Sequence, residues 1–218
     1  MKSKLKHFNI QFPEIYWIHI YADGPKIGHN FNNTAGTGIY SQLFCSYISL
    51  GPNSTHFDGE LEAINSALKQ LFYHINLFNR AVIFSDSKSA LQAIYTSVCT
   101  TKRTAEIYQS IKHLQSLHKL IVLQWIPSHC GILGNEKADT LAKKGTTIHQ
   151  IRNSSLSFHS SKLIIQKTIQ QKTNENLTQE SVNKQWKTLL NKATIIPECP
   201  RSKAVALFLL HTGHDCLT

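Results

Sequence analysis

The chain has 218 residues, of which 41% are apolar, and its 23 Lys and Arg against 13 Asp and Glu give a formal net charge of +10. This length fits one ordinary domain with an appendage, and no stretch has the roughly 18–20 apolar residues of a membrane span. The N-terminus also lacks the apolar region of a signal peptide. The positive charge favours a polyanionic partner. Five cysteines without a CxxC pair argue against a disulfide framework and for a reducing compartment, nucleus or cytoplasm.

The first predicted elements are strands. Residues 15–22 carry apolar side chains on both faces, as in a strand that is covered on both sides. A turn is predicted at Asp23, Gly24 and Pro25. Two further strands between residues 36 and 51, joined by short turns, predict an antiparallel meander with the first.

Helices and strands alternate after this meander. A helix begins near Glu60, capped by Thr55 or Asp58, and a buried strand follows over residues 81–84. The remaining predicted elements are a helix from Ser87 or Ser89, a helix over 104–118, a strand over 120–126 and a helix over 136–144 closed by Gly145. This order, β-β-β-α-β-α-α-β-α, predicts a mixed sheet covered by helices, which is an α/β layered domain.

The composition changes near residue 150. Residues 151–183 are rich in Ser, Asn, Gln, Thr and Lys, and their helical periodicity is weak. We therefore predict an N-terminal extension over 1–14, a main domain over 15–148 and an appendage over 149–218. This appendage is basic, mostly helical or partly disordered, and its abrupt apolar end is typical of a truncated chain.

Four acidic residues lie beside apolar segments. Asp23 ends the first strand, Glu60 lies in the first turn of a helix, Asp86 follows the strand over 81–84, and Asp139 lies within the last helix. Each acid alone has a plainer role as a turn, cap or solvated helix residue. An uncompensated buried charge is costly, however, and divalent metal ions commonly compensate a cluster of carboxylates. If the first and fourth strands are neighbours, two of these acids become adjacent.

The segments around these acids resemble a known family. IYADG, GELEAI, IFSDSKSAL and WIPSHCGILGNEKADTLAK resemble, in order, the four signature blocks of type I ribonuclease H, closest in style to the domains of non-LTR retrotransposon polyproteins. The resemblance covers roughly residues 15–145. It implies a ribonuclease H-like layered fold with a five-stranded mixed sheet. It further implies an endonuclease that hydrolyses the RNA strand of RNA·DNA hybrids and leaves 5′-phosphate and 3′-hydroxyl ends.

The resemblance also implies roles for individual residues. By motif match, two Mg²⁺ ions, which Mn²⁺ can replace, would be bound by four carboxylates, and a loop histidine would shuttle protons or assist product release. The implied metal ligands are Asp23, Glu60, Asp86 and Asp139, and the implied loop histidine is His129.

Neighbouring residues carry weaker expectations. Gly24 and Lys88 are close enough to the predicted metal site to contact the hybrid, whereas Pro25 replaces a small hydroxyl residue of the family pattern and could alter the turn. Cys130 is not expected to bind zinc, because further His or Cys ligands are lacking nearby. The same holds for the terminal motif with His214 and Cys216. We expect a monomer that was originally linked to a reverse transcriptase.

Two other functions remain open. A catalytically idle module that binds hybrids or double-stranded RNA would keep the fold without the chemistry. An integrase-like nuclease would use three main acids in other contexts. Four intact acids favour the active ribonuclease H, and the GNEKAD block, which ends at Asp139, argues against the integrase-like enzyme.

Overall fold

A computed structural model describes residues 10–24, 26–27, 34–51, 53–96, 101–148, 157–183 and 200–212. By internal contacts the chain forms two compact units, Met1–Ser161 and Lys162–Thr218. Pro25, His214 and Cys216, singled out above, lie outside the described residues.

The first unit contains a sheet and four of the described α-helices. The strands are β1 Ile18–Asp23, β2 Lys26–Ile27, β3 Thr34–Ser41, β4 Cys45–Gly51, β5 Arg80–Ser85 and β6 Leu120–Trp125. The helices are α1 His56–Tyr73, α2 Lys88–Tyr95, α3 Lys102–Ser116 and α4 Leu133–Thr147, with a 3₁₀ turn at Ile75–Leu77. Two further helices are α5 Phe158–Glu180, which begins in the first unit, and α6 Arg201–Thr212 in the second.

The strand order confirms the predicted five-stranded mixed sheet. The order is β4-β3-β1-β5-β6, with β3 antiparallel to its neighbours and β1, β5 and β6 parallel. The short β2 is an addition to the prediction. It continues the pairing of β1 with β3 in one register, since Asp23 pairs with Gly38 and Lys26 with Ala35. The layered α/β fold follows because helices cover both faces of this sheet.

The two faces of the sheet bury separate apolar clusters. Ile20 of β1 and Ile39 of β3 pack in the larger cluster with α1 and α3. Tyr21, which follows Ile20, packs with Phe84 and Ile126 in the smaller cluster on the other face. The alternation within β1 therefore explains why both sets of its side chains are apolar. None of the described helices is long and apolar enough to cross a membrane.

Helix α4 packs very closely on the sheet. A Cβ atom at Gly36 or Gly38 would overlap the backbone of α4 at Ala142 or Ala138. The predicted end of this helix at Gly145 was wrong, because α4 continues to Thr147. Gly145 lies inside the helix, where a Cβ atom would come within 2.7 Å of the Ile48 carbonyl oxygen of β4. Close packing, not C-capping, therefore explains this glycine.

Helix α1 begins with a capping box. Thr55 accepts a hydrogen bond from the Asp58 backbone N–H, and the Asp58 side chain accepts one from the Thr55 N–H. Both candidate caps thus act together. Since the helix begins at His56, Glu60 is its fifth residue and lies just beyond the predicted first turn. Ser87 is the cap of α2, and its hydroxyl accepts from the Ala90 N–H.

We predict that Gly38→Ala destabilises the protein by about 1–3 kcal/mol, because the added methyl group must displace the backbone of α4. Urea unfolding measures this difference. Ser116→Thr, which adds one methyl group at the exposed end of α3, is the matched control and should leave the midpoint nearly unchanged. An unaltered midpoint in Gly38→Ala would contradict the close packing.

Candidate active site

Two carboxylates meet at the ends of neighbouring parallel strands. Asp23 is the last residue of β1, and Asp86 directly follows β5. Because Ala22 pairs with Ser85 in the parallel ladder, both strands deliver their acids to the same edge of the sheet. The condition stated above for the adjacency of these acids, that the first and fourth predicted strands are neighbours, therefore holds.

Glu60 reaches the same point from α1. One oxygen each from Asp23, Glu60 and Asp86 lies within 4.8 Å of the others. The start of α1 is pressed against Gly24, where a Cβ atom would overlap the backbone of Gly59 and Glu60. The Gly24 N–H is close enough to lower the pKa of both Asp23 and Glu60, although burial has the larger and opposite effect. The absence of a side chain at Gly24 thus lets a helix and a strand end bring their acids together.

The fourth acid lies on α4 and lines the same cleft, which has a volume of about 700 Å³. Asp139 is not part of the tight group of three, and its Oδ2 atom accepts a hydrogen bond from Lys143 Nζ at 2.5 Å. This hydrogen bond raises the pKa of Lys143. The lysine therefore remains a cation and neutralises the negative charge of Asp139. The structure therefore brings all four predicted acids to one cleft, three of them in contact range.

The buried acids have strongly shifted pKa values. Burial, and then the charges of Asp86 and Asp139, raise the pKa of Asp23 to about 7. Burial, and then Asp23 and Asp86, raise the pKa of Glu60 to about 9. Without a cation, the cluster therefore holds protons at neutral pH, and these values belong to the coupled cluster as much as to single residues.

A histidine that the sequence analysis did not single out links Glu60 to the strand end. His56 Nδ1 lies 2.5 Å from the Gly24 carbonyl oxygen, which can only accept, so Nδ1 carries the proton. Its Nε2 atom faces Glu60 Oε1 at 3.4 Å. The ring therefore bridges two chain segments. The i, i+4 spacing of His56 and Glu60 could have indicated their contact from the sequence. The contact with the Gly24 carbonyl oxygen could not be inferred in this way, because Gly24 lies thirty-two residues earlier in the chain.

A tryptophan on β6 supports the loop that carries Asp86. Trp125 Nε1 donates a hydrogen bond to the Asp86 carbonyl oxygen at 3.0 Å. Lys88 Nζ lies 4.6 Å from the centre of the same indole ring, in a cation–π contact. Lys88 also lines the cleft, so its charge is held beside the acids.

The predicted loop histidine lies at the rim of the cleft. His129 and Ser128 line it together, and His129 is exposed and has a left-handed backbone with φ of 50°. Neighbouring Gly131 also has a positive φ, 71°, so the loop turns sharply between β6 and α4. Cys130, which lies in this loop beside His129, is half-buried.

The carboxylate group fits a divalent cation. Glu60 is only 2% exposed, yet its Oε2 atom has no hydrogen-bond partner among the described residues. Buried polar atoms are seldom left without a partner unless an ion or water satisfies them. Oxygen-only ligands are those that Mg²⁺ and Mn²⁺ prefer. The donor set of Asp23, Glu60 and Asp86 therefore suits such an ion.

The fold and this cleft define an α/β domain in which carboxylates gather at the edge of a mixed sheet. Comparison with family models identifies the family, because residues 17–147, more than half of the chain, match the RNase H model. The chain therefore belongs to the RNase H family, a family of hydrolases that act on nucleic acid.

Individual relatives are each similar to about three-fifths of the chain. The ribonuclease H of Janthinobacterium sp. (strain Marseille) is 28% identical over 149 residues, which span 60% of this chain and 96% of that protein. RNase H1 from Halobacterium salinarum NRC-1 superimposes with a TM-score of 0.44 at 19% identity, covering 59% of this chain and 96% of that one. A foamy viral protease-reverse transcriptase in complex with an RNA/DNA hybrid gives a TM-score of 0.49 at 20% identity, covering 61% and 20%.

We predict that the metal-free protein loses thermal stability as the pH rises from 6 to 9. The pKa values of Asp23 and Glu60 are raised, so their stabilising contribution is complete below the ordinary carboxyl pKa and is lost as the pH passes about 7 and about 9. In Glu60→Gln this fall should shrink by at least about 2 °C, since 1 kcal/mol shifts Tm by about 2–4 °C in a domain of this size.

Thermal melts in a chelator at both pH values measure this effect. Glu175→Gln, on exposed α5, removes one carboxylate away from the cleft and should behave like the wild type. An equal fall in Tm for Glu60→Gln and the wild type would contradict the raised pKa of Glu60.

We predict that Trp125→Phe weakens Ca²⁺ binding by about five-fold, because a hydrogen bond of about 1 kcal/mol to the Asp86 loop is lost. The phenyl ring still packs beside Lys88. Calorimetric titration with Ca²⁺ measures the affinity without turnover. Trp17→Phe is the control, because Trp17 directly precedes β1 and so lies at the end of that strand away from Asp23. Equal Ca²⁺ affinities in the two variants would rule out a role for the Trp125 indole N–H.

Proposed function

We propose that the chain is an endonuclease that hydrolyses the RNA strand of RNA·DNA hybrids, using two Mg²⁺ ions that Mn²⁺ can replace. The observation that carries this proposal is the group of three carboxylates within 4.8 Å in a member of the RNase H family. One buried oxygen of this group, on Glu60, has no hydrogen-bond partner in the described ranges of the chain. Asp23, Glu60 and Asp86 would hold the ions, with Asp139 completing the ligand set from α4.

The chemistry divides between the ions and the side chains. Bound divalent ions would supply Lewis-acid activation of water and would neutralise charge on the leaving oxygen. Cleavage on the 3′-oxygen side of the phosphate would give 5′-phosphate and 3′-hydroxyl ends. His129, exposed at the rim of the cleft, would shuttle protons there or assist product release. Lys143 can neutralise Asp139 until cations and substrate enter.

Hybrid recognition would depend on shape and charge. Proteins distinguish RNA through contacts to 2′-hydroxyl groups in a wide minor groove, and basic residues hold the phosphates. The net charge of +10 supports binding of a polyanion. Lys88 lines the cleft and would contact the hybrid, whereas Gly24 is buried against the start of α1 and is not among the residues that line the cleft.

The proposal extends to the origin and setting of the chain. The four sequence blocks, most of all the one ending at Asp139, support descent from a non-LTR retrotransposon polyprotein in which a reverse transcriptase was linked to this domain. We further propose an intracellular, monomeric protein in the nucleus or cytoplasm, supported by the lack of a disulfide framework in its cysteine pattern.

The proposal is tested by cleavage of a labelled RNA·DNA hybrid in Mg²⁺. We expect the wild type to cut only the RNA strand, and Asp86→Asn to be slower by more than about 100-fold, since metal stabilisation of the transition state amounts to several kcal/mol. Ca²⁺ should support hybrid binding without turnover, because its coordination geometry is looser.

The controls separate the remaining functions. Asp58→Asn would disturb α1, so Glu180→Gln at the exposed end of α5 is the better matched carboxylate control and should cut normally. Tight hybrid binding by folded wild type without any cleavage would identify the idle binding module instead. Cleavage by Asp86→Asn at the rate of the wild type would refute the assignment of Asp86 as a metal ligand.

A further inference from the structure

One carboxylate next to the active site serves the starts of two helices. Asp58, two residues before Glu60, closes the capping box of α1 through Oδ2, which accepts from the Thr55 hydroxyl at 2.7 Å and the Thr55 N–H at 2.9 Å. The same oxygen accepts a hydrogen bond from Ser160 Oγ at 2.7 Å and lies 3.3 Å from Ser157 Oγ. Both serines belong to the start of α5, and all of these residues lie in the first compact unit.

The start of α5 is organised around this contact. Ser157 caps the helix, because its hydroxyl accepts from the Ser160 N–H at 3.1 Å. The Ser157 hydroxyl proton can point to Asp58 or to Ser160 Oγ at 3.0 Å, and in either case Ser160 donates to Asp58. We call this set of contacts among Asp58, Ser157 and Ser160 the serine–aspartate clamp.

The clamp has the properties of a specific contact. Ser160 is 1% exposed, so if Asp58 moved away its hydroxyl would lose its shortest hydrogen bond with little access to replacement water and would keep only Ser157 Oγ at 3.0 Å. Burial alone would raise the pKa of Asp58, but hydrogen bonds from Ser160, Thr55 and Ser157 outweigh it and hold the pKa below its ordinary value. Two helix N-termini, each partly positive, also face this carboxylate.

The first turn of α1 is therefore held from two sides. On the inner side, His56 contacts the Gly24 carbonyl oxygen and Glu60, and the Glu60 backbone packs directly on Gly24. On the outer side, the clamp fixes Asp58. Glu60 directly follows this turn, and its buried Oε2 atom has no hydrogen-bond partner in the part of the chain that the structure describes.

We propose that Ser157 and Ser160 are positioning residues for the carboxylate cluster. The first residues of α5 would then belong functionally to the ribonuclease H domain. Through Asp58 the two serines hold the first turn of α1, and with it Glu60, at the position where a divalent ion binds. This inference rests on the proposed function for its catalytic consequence. It also extends the functional domain beyond residue 147, where the family match ends.

The test uses the full chain with Ser157→Ala and Ser160→Ala combined. We expect Ca²⁺ affinity to fall about five-fold, as for the loss of about 1 kcal/mol of hydrogen bonding, and the Mg²⁺ concentration for half-maximal cleavage to rise by the same factor. The KM for the hybrid should not change. Hydrogen exchange should become faster at the amides of residues 57–61 relative to the amides of β5.

The single variants should differ in how much Ca²⁺ affinity they lose. Ser160→Ala should have the larger effect, because its hydroxyl lies 2.7 Å from Asp58 Oδ2 against 3.3 Å for Ser157. Ser157→Thr keeps a capping hydroxyl and should retain wild-type Ca²⁺ affinity. Thr168→Ala is the matched control on α5, since its hydroxyl binds only the Ile164 carbonyl oxygen of its own helix.

The outcomes distinguish this inference from the proposed function. Ca²⁺ titration and hydrogen exchange need no turnover, so they test the clamp even if the wild type cuts no hybrid, a result that would count against the proposed function alone. A folded double variant with wild-type Ca²⁺ affinity and unchanged exchange over residues 57–61 would overturn the clamp. If the double variant does not fold, Ser157→Ala decides, and an effect no larger than that of Thr168→Ala would equally overturn it.

Discussion

Three carboxylates share a small, poorly hydrated space at one edge of the sheet, and their mutual repulsion is the constraint on which the rest of the structure depends. Asp23, Glu60 and Asp86 place oxygen atoms within 4.8 Å, and burial is the largest cause of the raised pKa values of Asp23 and Glu60. Left to themselves, such groups would separate or recruit water. They stay together because each is attached to a different rigid element, and those elements have other reasons to be adjacent.

The elements are held by contacts that leave little freedom. The parallel pairing of β1 and β5 fixes Asp23 beside Asp86, and the bare backbone at Gly24 allows α1 to touch the strand end. On the other face, Gly38 allows α4 to lie directly on β3 and so brings Asp139 to the cleft. Because Gly24 and Gly38 let the neighbouring backbones touch, the packing of these elements fixes the distances between the carboxylates. Without a cation, packing of the domain and protons on Asp23 and Glu60 together offset the repulsion between the carboxylates, and a divalent ion would take the place of those protons.

Local rules predicted the order of the elements and much of the cleft. Periodicity located the strands and helices, and the position of Asp23 and Asp86 at strand ends made them adjacent on the condition that their strands are neighbours, which the structure meets. The interior position of Gly145 was missed because only the distance to β4 distinguishes a packing glycine from a C-cap. His56 and Trp125 were missed for a related reason. Their partners are backbone carbonyls far away in sequence, and such acceptors carry no sequence signal.

The first turn of α1 shows how one short segment can serve the fold and the chemistry at once. A helix turns by about 100° per residue, so residues four apart share a face while residues two apart point in nearly opposite directions. His56 and Glu60 therefore face the strand end, whereas Asp58 faces away and closes the capping box. A carboxylate on that outer face is free to gain further donors without disturbing the ligand on the inner face. The start of α5 supplies those donors through Ser160, so an element beyond the family match stiffens the turn that presents a buried acid.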